Sequence, residues 1–275
     1  MTDKTILITG CSSGIGLASA RTLKTRGWRV LATARRPEDL DRLREEEGLE
    51  TLHLELADPD TIAACADEAL RLTDGKLYAV FNNAAYGQPG AVEDVTPDVL
   101  RKQFEVNVIG THDLTRRLIP SMRANGRGRI VQCSSVLGMV AAPFRGAYCA
   151  SKFALEGLTD SLRLELAGSG IRISLIEPGP IRTRFIDNAL AAARAHIDIA
   201  GSVHHARYER MIDALSRGGK QTFKLEPEAV ATKLVHAVES ARPKPRYYVT
   251  VPTHLAGVLR RVLPTRLLDI AAARA

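Results

Sequence analysis

The strongest constraint on what this chain can become is an alternation. Short β-branched and apolar runs, TILIT (5–9), WRVLATA (28–34), TLHLEL (51–56), LYAVFNN (77–83), GRIVQCS (128–134), IRISLIEP (171–178) and YYVTV (247–251), are separated by longer amphipathic stretches. The runs are short for helices and almost continuously apolar, so both faces of each strand are expected to be covered. A parallel sheet buries its strands in this way, because every crossover between its strands needs a helix. Helices are expected over 14–26, 37–47, 58–73, 96–123, 145–167 and 226–239, with a helix-rich insertion at 186–222. Thr96 followed by Pro97 is a helix-start signal, an N-cap with proline at the first helical position. The fold class expected is α/β: a single doubly wound domain over residues 1–252, with about seven parallel strands and helices on both faces, then a tail over 253–275.

Composition removes several function classes. With 275 residues, 45% hydrophobic and 25% charged, the chain is neither disordered nor fibrous. Its net charge of +7 is concentrated at one end: beyond residue 241, Arg242, Lys244, Arg246, Arg260, Arg261, Arg266 and Arg274 face one acid, Asp269. The body is therefore near neutral and no nucleic-acid face is expected. Cys11, Cys65, Cys133 and Cys149 are scattered, which speaks against a zinc site and for a reduced chain; His204 and His205 are expected to face solvent rather than bind metal. No leader precedes the first strand and no run of about 18 apolar residues occurs, so a cytoplasmic protein, at most attached to a membrane surface, is expected.

Chemistry enters with the first turn. TGCSSGIG (9–16) joins a strand to a helix with glycines at Gly10, Gly14 and Gly16, a turn that brings backbone N–H groups of a helix N-terminus to a pyrophosphate. Its GxxxGxG spacing is not the commoner GxGxxG, and by itself it also suits an ordinary turn. After the second strand, where NAD-selecting proteins carry a carboxylate for the ribose 2′-hydroxyl, stands Ala34, followed by Arg35 and Arg36. Two guanidiniums suit a 2′-phosphate and favour NADP(H), with Ser12 and Ser13 as further donors; the alternative is that they merely begin a solvated helix. In YCASK (148–152), Tyr148 and Lys152 lie one helical turn apart on one face, so the ammonium is expected to lower the phenol's pKa. Ser135 ends a strand at the sheet's carboxyl edge. Asn107 interrupts a long helix in which Asn is a mediocre former.

Together TGCSSGIG, NNAA (82–85), Asn107, Ser135, Tyr148, Lys152 and PGPIRT (178–183) resemble the short-chain dehydrogenase/reductase family, over roughly residues 4–185. GCSSGIGL, YCASKFALEGL and SLIEPGPIRTRF are similar to two of its branches, bacterial NADP-dependent aldehyde reductases and the 17β-hydroxysteroid and retinol dehydrogenases. The resemblance implies a Rossmann-type fold in which Tyr148 donates a proton, Ser135 hydrogen-bonds the reacting oxygen, Lys152 holds the nicotinamide ribose and depresses the tyrosine pKa, and Asn107 anchors a relay water. It further implies that Ile15 belongs to the phosphate turn, that Asn83 and Ala84 line the cofactor, and that Pro178, Gly179, Ile181 and Thr183 hold its nicotinamide end. Two departures are visible: Ala85 stands where the family has glycine, and Glu55 where it usually has Asp, so that Glu55 and the Leu56 backbone would contact adenine.

The expected substrate lining is Tyr86, Val136, Leu137, Met139, Pro143, Phe144 and Phe185, suited to a hydrophobic carbonyl compound or alcohol, although ordinary core packing accounts for any one of them equally well. The insertion is expected to close over it. NADPH-dependent reduction of an aldehyde or ketone is the leading reading; oxidation of a steroid or retinoid alcohol by the same residues is the close rival. A sensor or scaffold that binds NADP(H) without turnover is the third, and it should lack a catalytic group that this sequence retains. A homodimer or homotetramer is implied by the resemblance. In the tail, Leu255, Val258, Leu259, Val262, Leu263, Leu267 and Ile270 recur at helical spacing between arginines; packing on the protein or a partner subunit is favoured there over a membrane surface.

Overall fold

A computed structural model describes residues 4–216 and 222–274. The strands β1 (Thr5–Ile8), β2 (Arg29–Ala34), β3 (Glu50–His53), β4 (Ala79–Asn82), β5 (Gly128–Cys133), β6 (Ile171–Glu177) and β7 (Arg246–Tyr248) form one seven-stranded sheet in the order β3-β2-β1-β4-β5-β6-β7, all parallel. The order reverses between β1 and β4, which opens a crevice at the carboxyl ends of the strands, where sheets of this kind bind ligands. Alternation along each strand supplies the two cores. Ile6, Ile8, Val30 and Ala32 face α1 (Gly14–Thr25), α2 (Pro37–Glu45) and α9 (Glu228–Glu239). Leu7, Leu31, Val80 and Ile130 face α3 (Pro59–Leu72) and α5 (Thr111–Ala124), with Leu162 of α6 (Gly146–Glu165) at the margin. Each Val, Leu or Ile side chain among these, buried completely, contributes about 1.5–3 kcal/mol.

The remaining helices are α4 (Pro97–Phe104), α7 (Phe185–His196), α8 (His205–Ser216), α10 (Val251–Val262) and α11 (Thr265–Arg274). Three expectations are corrected. The helix over 96–123 is not continuous: between α4 and α5, Glu105–Gly110 widen into a π turn that contains Asn107. Gly110 permits this crossing, because a Cβ there would lie 2.0 Å from the Leu56 carbonyl oxygen. The strand expected over 51–56 ends at His53, which leaves Glu55 and Leu56 in the following loop. The last strand stops at Tyr248, and Val251, expected within it, opens α10, because Pro252 cannot donate to a strand ladder and suits a helix's first turn. Of the insertion over 186–222, α7 and α8 are described, and its residues 217–221 lie outside the described residues.

Candidate active site

The turn after β1 is built for close backbone approach. A Cβ on Gly16 would lie 2.1 Å from the Gly10 carbonyl oxygen, so α1 starts there only with glycine. Gly14 has φ +56°, and a Cβ on it would come within 2.9 Å of Thr183 Cγ2, so the turn and the segment after β6 face each other. Ser13 is extended and makes no side-chain cap, which leaves α1's first N–H groups to an anion, with the Ser12 and Ser13 hydroxyls beside them. The Ile15 side chain packs on the core, so its backbone alone faces the turn. Thr9, not singled out from sequence, is the clamp: its Oγ1 accepts from the N–H groups of Asn83 and Ala84, both at 2.9 Å, while Asn83 Nδ2 donates to the Thr9 carbonyl at 2.9 Å. Asn83 thus ties the β1 and β4 loops together.

At the end of β2, Ala34 carries no acid. The Arg35 side chain is 65% exposed and 3.5 Å from Glu55, and Arg36 makes no side-chain hydrogen bond or ion pair with the described residues. Arg42, another residue missed from sequence, reaches from α2 to the Ser12 carbonyl at 2.6 Å and couples that helix to the phosphate turn. Glu55 Oε1 accepts from the Ala57 N–H, and Leu56 is buried against the core. These residues fit a dinucleotide: a glycine cradle with spare N–H donors, and two guanidiniums at its adenosine end.

Tyr148 and Lys152 project from α6 toward the carboxyl end of β5, where Ser135 follows the strand; all three are buried or nearly so. Burial pushes the Tyr148 phenol well above the usual tyrosine range, while Ser135, a hydrogen-bonding neighbour, and the Arg145 guanidinium pull it back. The expected depression by Lys152 is corrected. Lys152 Nζ donates to the Cys133 carbonyl at 2.8 Å and lies 5.6 Å from the centre of the phenol ring, and desolvation of the phenol dominates. At neutral pH the proton therefore stays on Tyr148. Burial also holds the Lys152 ammonium below the ordinary lysine value, against the pull of Cys133 and Glu156. Ser135 Oγ accepts from the Leu137 N–H at 3.1 Å, which leaves its own hydrogen to donate.

Asn107 acts through the π turn. Its Oδ1 accepts from the Tyr86 N–H at 3.1 Å, and its Nδ2 donates to the Tyr86 carbonyl at 2.9 Å and to Ser151 Oγ at 3.2 Å. Ser151 in turn donates to the Tyr148 carbonyl at 2.8 Å. The amide therefore links the loop after β4 to the tyrosine helix, and both of its donors are spent on protein groups. Gln103, missed from sequence, assists by donating to the Tyr86 carbonyl and accepting from the Gln88 N–H.

Of the expected substrate lining, Phe185 lies against Tyr148, ring centres 5.4 Å apart, above Gly87, whose Cβ would meet that ring at 2.8 Å. Val136 and Leu137 are partly exposed beside Ser135, the Tyr86 backbone is held by Asn107 with its side chain half-buried, and Met139 is buried. Pro143 is exposed. Phe144 points elsewhere: its ring packs edge-on to Tyr208 at 5.0 Å and His204 at 5.8 Å, under the Arg207 guanidinium. Tyr208, fully buried, accepts from the Ala91 N–H and donates to Asp94, anchoring the insertion. His204 and His205 pair with Glu93 and Glu209. On the far side, the Pro178 carbonyl accepts from the Val136 N–H at 2.8 Å, Ile181 bridges to Leu225, and Gly179 abuts the buried hydroxyls of Thr250 and Thr253, where a Cβ would come within 2.1 Å.

A family model described as short chain dehydrogenase matches residues 4–193. The chain is 45% identical over 267 residues to YbbO, an uncharacterized oxidoreductase of Escherichia coli strain K12, covering 97% of this chain and 93% of that one. It is 35% identical over 264 residues to human 17-beta-hydroxysteroid dehydrogenase type 1, covering 91% and 78%. A solved short chain dehydrogenase/reductase from Burkholderia phymatum, in complex with NAD, matches with a TM-score of 0.78 at 28% identity, covering 98% of this chain and 94% of that one.

Proposed function

The chain belongs to the short-chain dehydrogenase family and is an oxidoreductase, and on that premise we propose that it reduces hydrophobic aldehydes or ketones with NADPH, Tyr148 being the proton donor. The observation that carries this reading is a protonated, buried phenol with Ser135 and Lys152 beside it and the Phe185 ring over it. Gly10, Gly14 and Gly16 with Ser12 and Ser13 would hold the pyrophosphate, and Pro178, Gly179, Ile181 and Thr183 the nicotinamide end. A solved relative holds NAD, so the choice of NADPH rests on this chain's own residues: no carboxylate at Ala34, and Arg35 and Arg36 for the 2′-phosphate. When bound, the dinucleotide supplies the hydride.

The protein's part is to manage the proton and the developing charge. Ser135 donates to the carbonyl oxygen as negative charge grows there, and Tyr148 delivers its proton to the same atom. Loss of that proton creates a phenolate in a buried place, which the Ser135 hydroxyl and the Arg145 guanidinium stabilise. Asn107 keeps the loop bearing Tyr86 and the helix bearing Tyr148 in register. The human relative is named for a hydroxysteroid, and oxidation of such an alcohol would use the same residues in reverse.

Tyr148→Phe tests the mechanism. NADPH binding, followed by fluorescence titration, should survive, while reduction of any aldehyde or ketone accepted by the wild type falls about 10²–10⁴-fold. Equal turnover by variant and wild type would remove Tyr148 from the chemistry.

A further inference from the structure

Helix α10 is turned inside out. Val251, Leu255, Val258 and Val262 are 59%, 55%, 58% and 66% exposed, and their i, i+4, i+7, i+11 spacing places them in one row along the helix. The opposite side, which faces the protein, is small or polar. Thr253 is buried and hydrogen-bonded to Thr250, Gly257 lets the Tyr248 ring approach to where its Cβ would be, and the Arg260 guanidinium covers the Phe153 ring at 5.0 Å. The tail is expected from sequence to pack on the protein or a partner subunit; on the protein it does so through Thr253 and Gly257, with Leu259 and Leu263 half-buried, and the apolar row is left outward. Beyond Pro264, α11 continues the pattern, with Leu267 and Ile270 half exposed.

An outward apolar row needs a covering partner, and charge selects which one. Helix α10 contains no acid; Arg261 lies at the side of the row, its guanidinium donating to the Gly257 carbonyl and the Tyr248 hydroxyl, and Arg266 is exposed beyond Pro264. Four side chains in single file are few against the ~20–30 residues per side of a stable protein interface. A bilayer surface asks for no complementary shape: it takes an apolar row into the headgroup boundary and rewards basic residues beside anionic lipid. We propose that α10 and α11 dock this protein on an anionic membrane surface through Val251, Leu255, Val258, Val262, Leu267 and Ile270, with the exposed Arg266 on the headgroups.

The docked helix is no remote appendage. Its first turn supports Gly179 through Thr250 and Thr253, and α10 packs against Val136–Gly138, the turn that follows Ser135. The proposal does not depend on which carbonyl compound the site accepts, and its test reads binding, not turnover. Full-length protein is sedimented with vesicles of phosphatidylcholine alone or with a quarter phosphatidylglycerol, at low and high salt. Binding should be more than about tenfold tighter to the anionic vesicles and should weaken with salt. Leu255→Glu/Val258→Glu should abolish it with an unchanged Tm, since both side chains face outward. Equal binding to both vesicles, binding to neither, or a wild-type oligomer that the double variant converts to monomer in analytical ultracentrifugation would each overturn the proposal, the last by making this row a contact between copies of the chain.

Discussion

Asn107→Ala separates what the Asn107 side chain does for the architecture from what the resemblance assigns to it. The amide is 1% exposed and makes three hydrogen bonds, but they are not equivalent. The Tyr86 carbonyl keeps Gln103 Nε2 when Asn107 is truncated, whereas the Tyr86 N–H loses its partner. One buried unsatisfied N–H costs about 1–3 kcal/mol, and the lost Ser151 contact and the small void add about 1 kcal/mol more. The sum is about 2–4 kcal/mol, or roughly 5–15 °C in Tm for a chain of this size. Urea unfolding should show a lower midpoint with an unchanged m-value. If the residue positions rather than relays, turnover should fall without displacement of the pH–rate profile. An unchanged Tm would refute the account of the π turn as a tether between Tyr86 and α6.

Two further outcomes follow from charges. Arg35→Ala should weaken NADPH by about tenfold or more in a binding titration while leaving NADH nearly untouched, because only the former presents a 2′-phosphate; an unchanged ratio discards the assignment. Glu177 is fully buried, Oε2 has no hydrogen-bond partner among the described residues, and burial followed by Glu156 pushes its carboxyl up to about 8, against Arg246. The folded state therefore keeps a proton that the unfolded state has released, stability declines as pH rises from about 4.5 to about 8, and Glu177→Gln should flatten the Tm–pH curve over that window. Parallel curves for variant and wild type would show that Glu177 titrates normally.

What the sequence made legible is what is local. The glycine turn, the Tyr148–Lys152 spacing and the strand periodicity each lie within a few consecutive residues, and a parallel sheet covered on both faces followed from the need of its strands for helical crossovers. The π turn was not legible as such: an Asn in mid-helix three residues before a glycine was its trace, but its cause, the approach of the Leu56 carbonyl to Gly110, spans 54 residues of chain. Phe144 was assigned to the substrate lining by its place beside Tyr148 in sequence; a positive φ of 58° and the packing of Tyr208 turn it to α8 instead. The tyrosine pKa was misjudged for a related reason. Helical spacing brings an ammonium near the phenol, but it does not reveal how deeply the pair is buried.

The same distinction explains the ionic cluster behind the site. Arg246 on β7 reaches Glu156 and Asp160 on α6 and Glu177 at the end of β6, partners 69 to 90 residues away that no window of sequence connects. Glu156 stands one turn beyond Lys152, and Glu177 immediately precedes Pro178. One guanidinium therefore fixes the tyrosine helix against the loop assigned to the nicotinamide, and the strand that carries it leads directly into α10. Apolar side chains would fill that space at lower desolvation cost, but they would tolerate sliding of α6 along β6. The Arg246–Glu156 pair does not, since a shift of one turn would strand the buried Glu156 carboxylate without its partner. The cluster ties α6, which carries Tyr148 and Lys152, to the segment after β6 that is proposed to hold the nicotinamide.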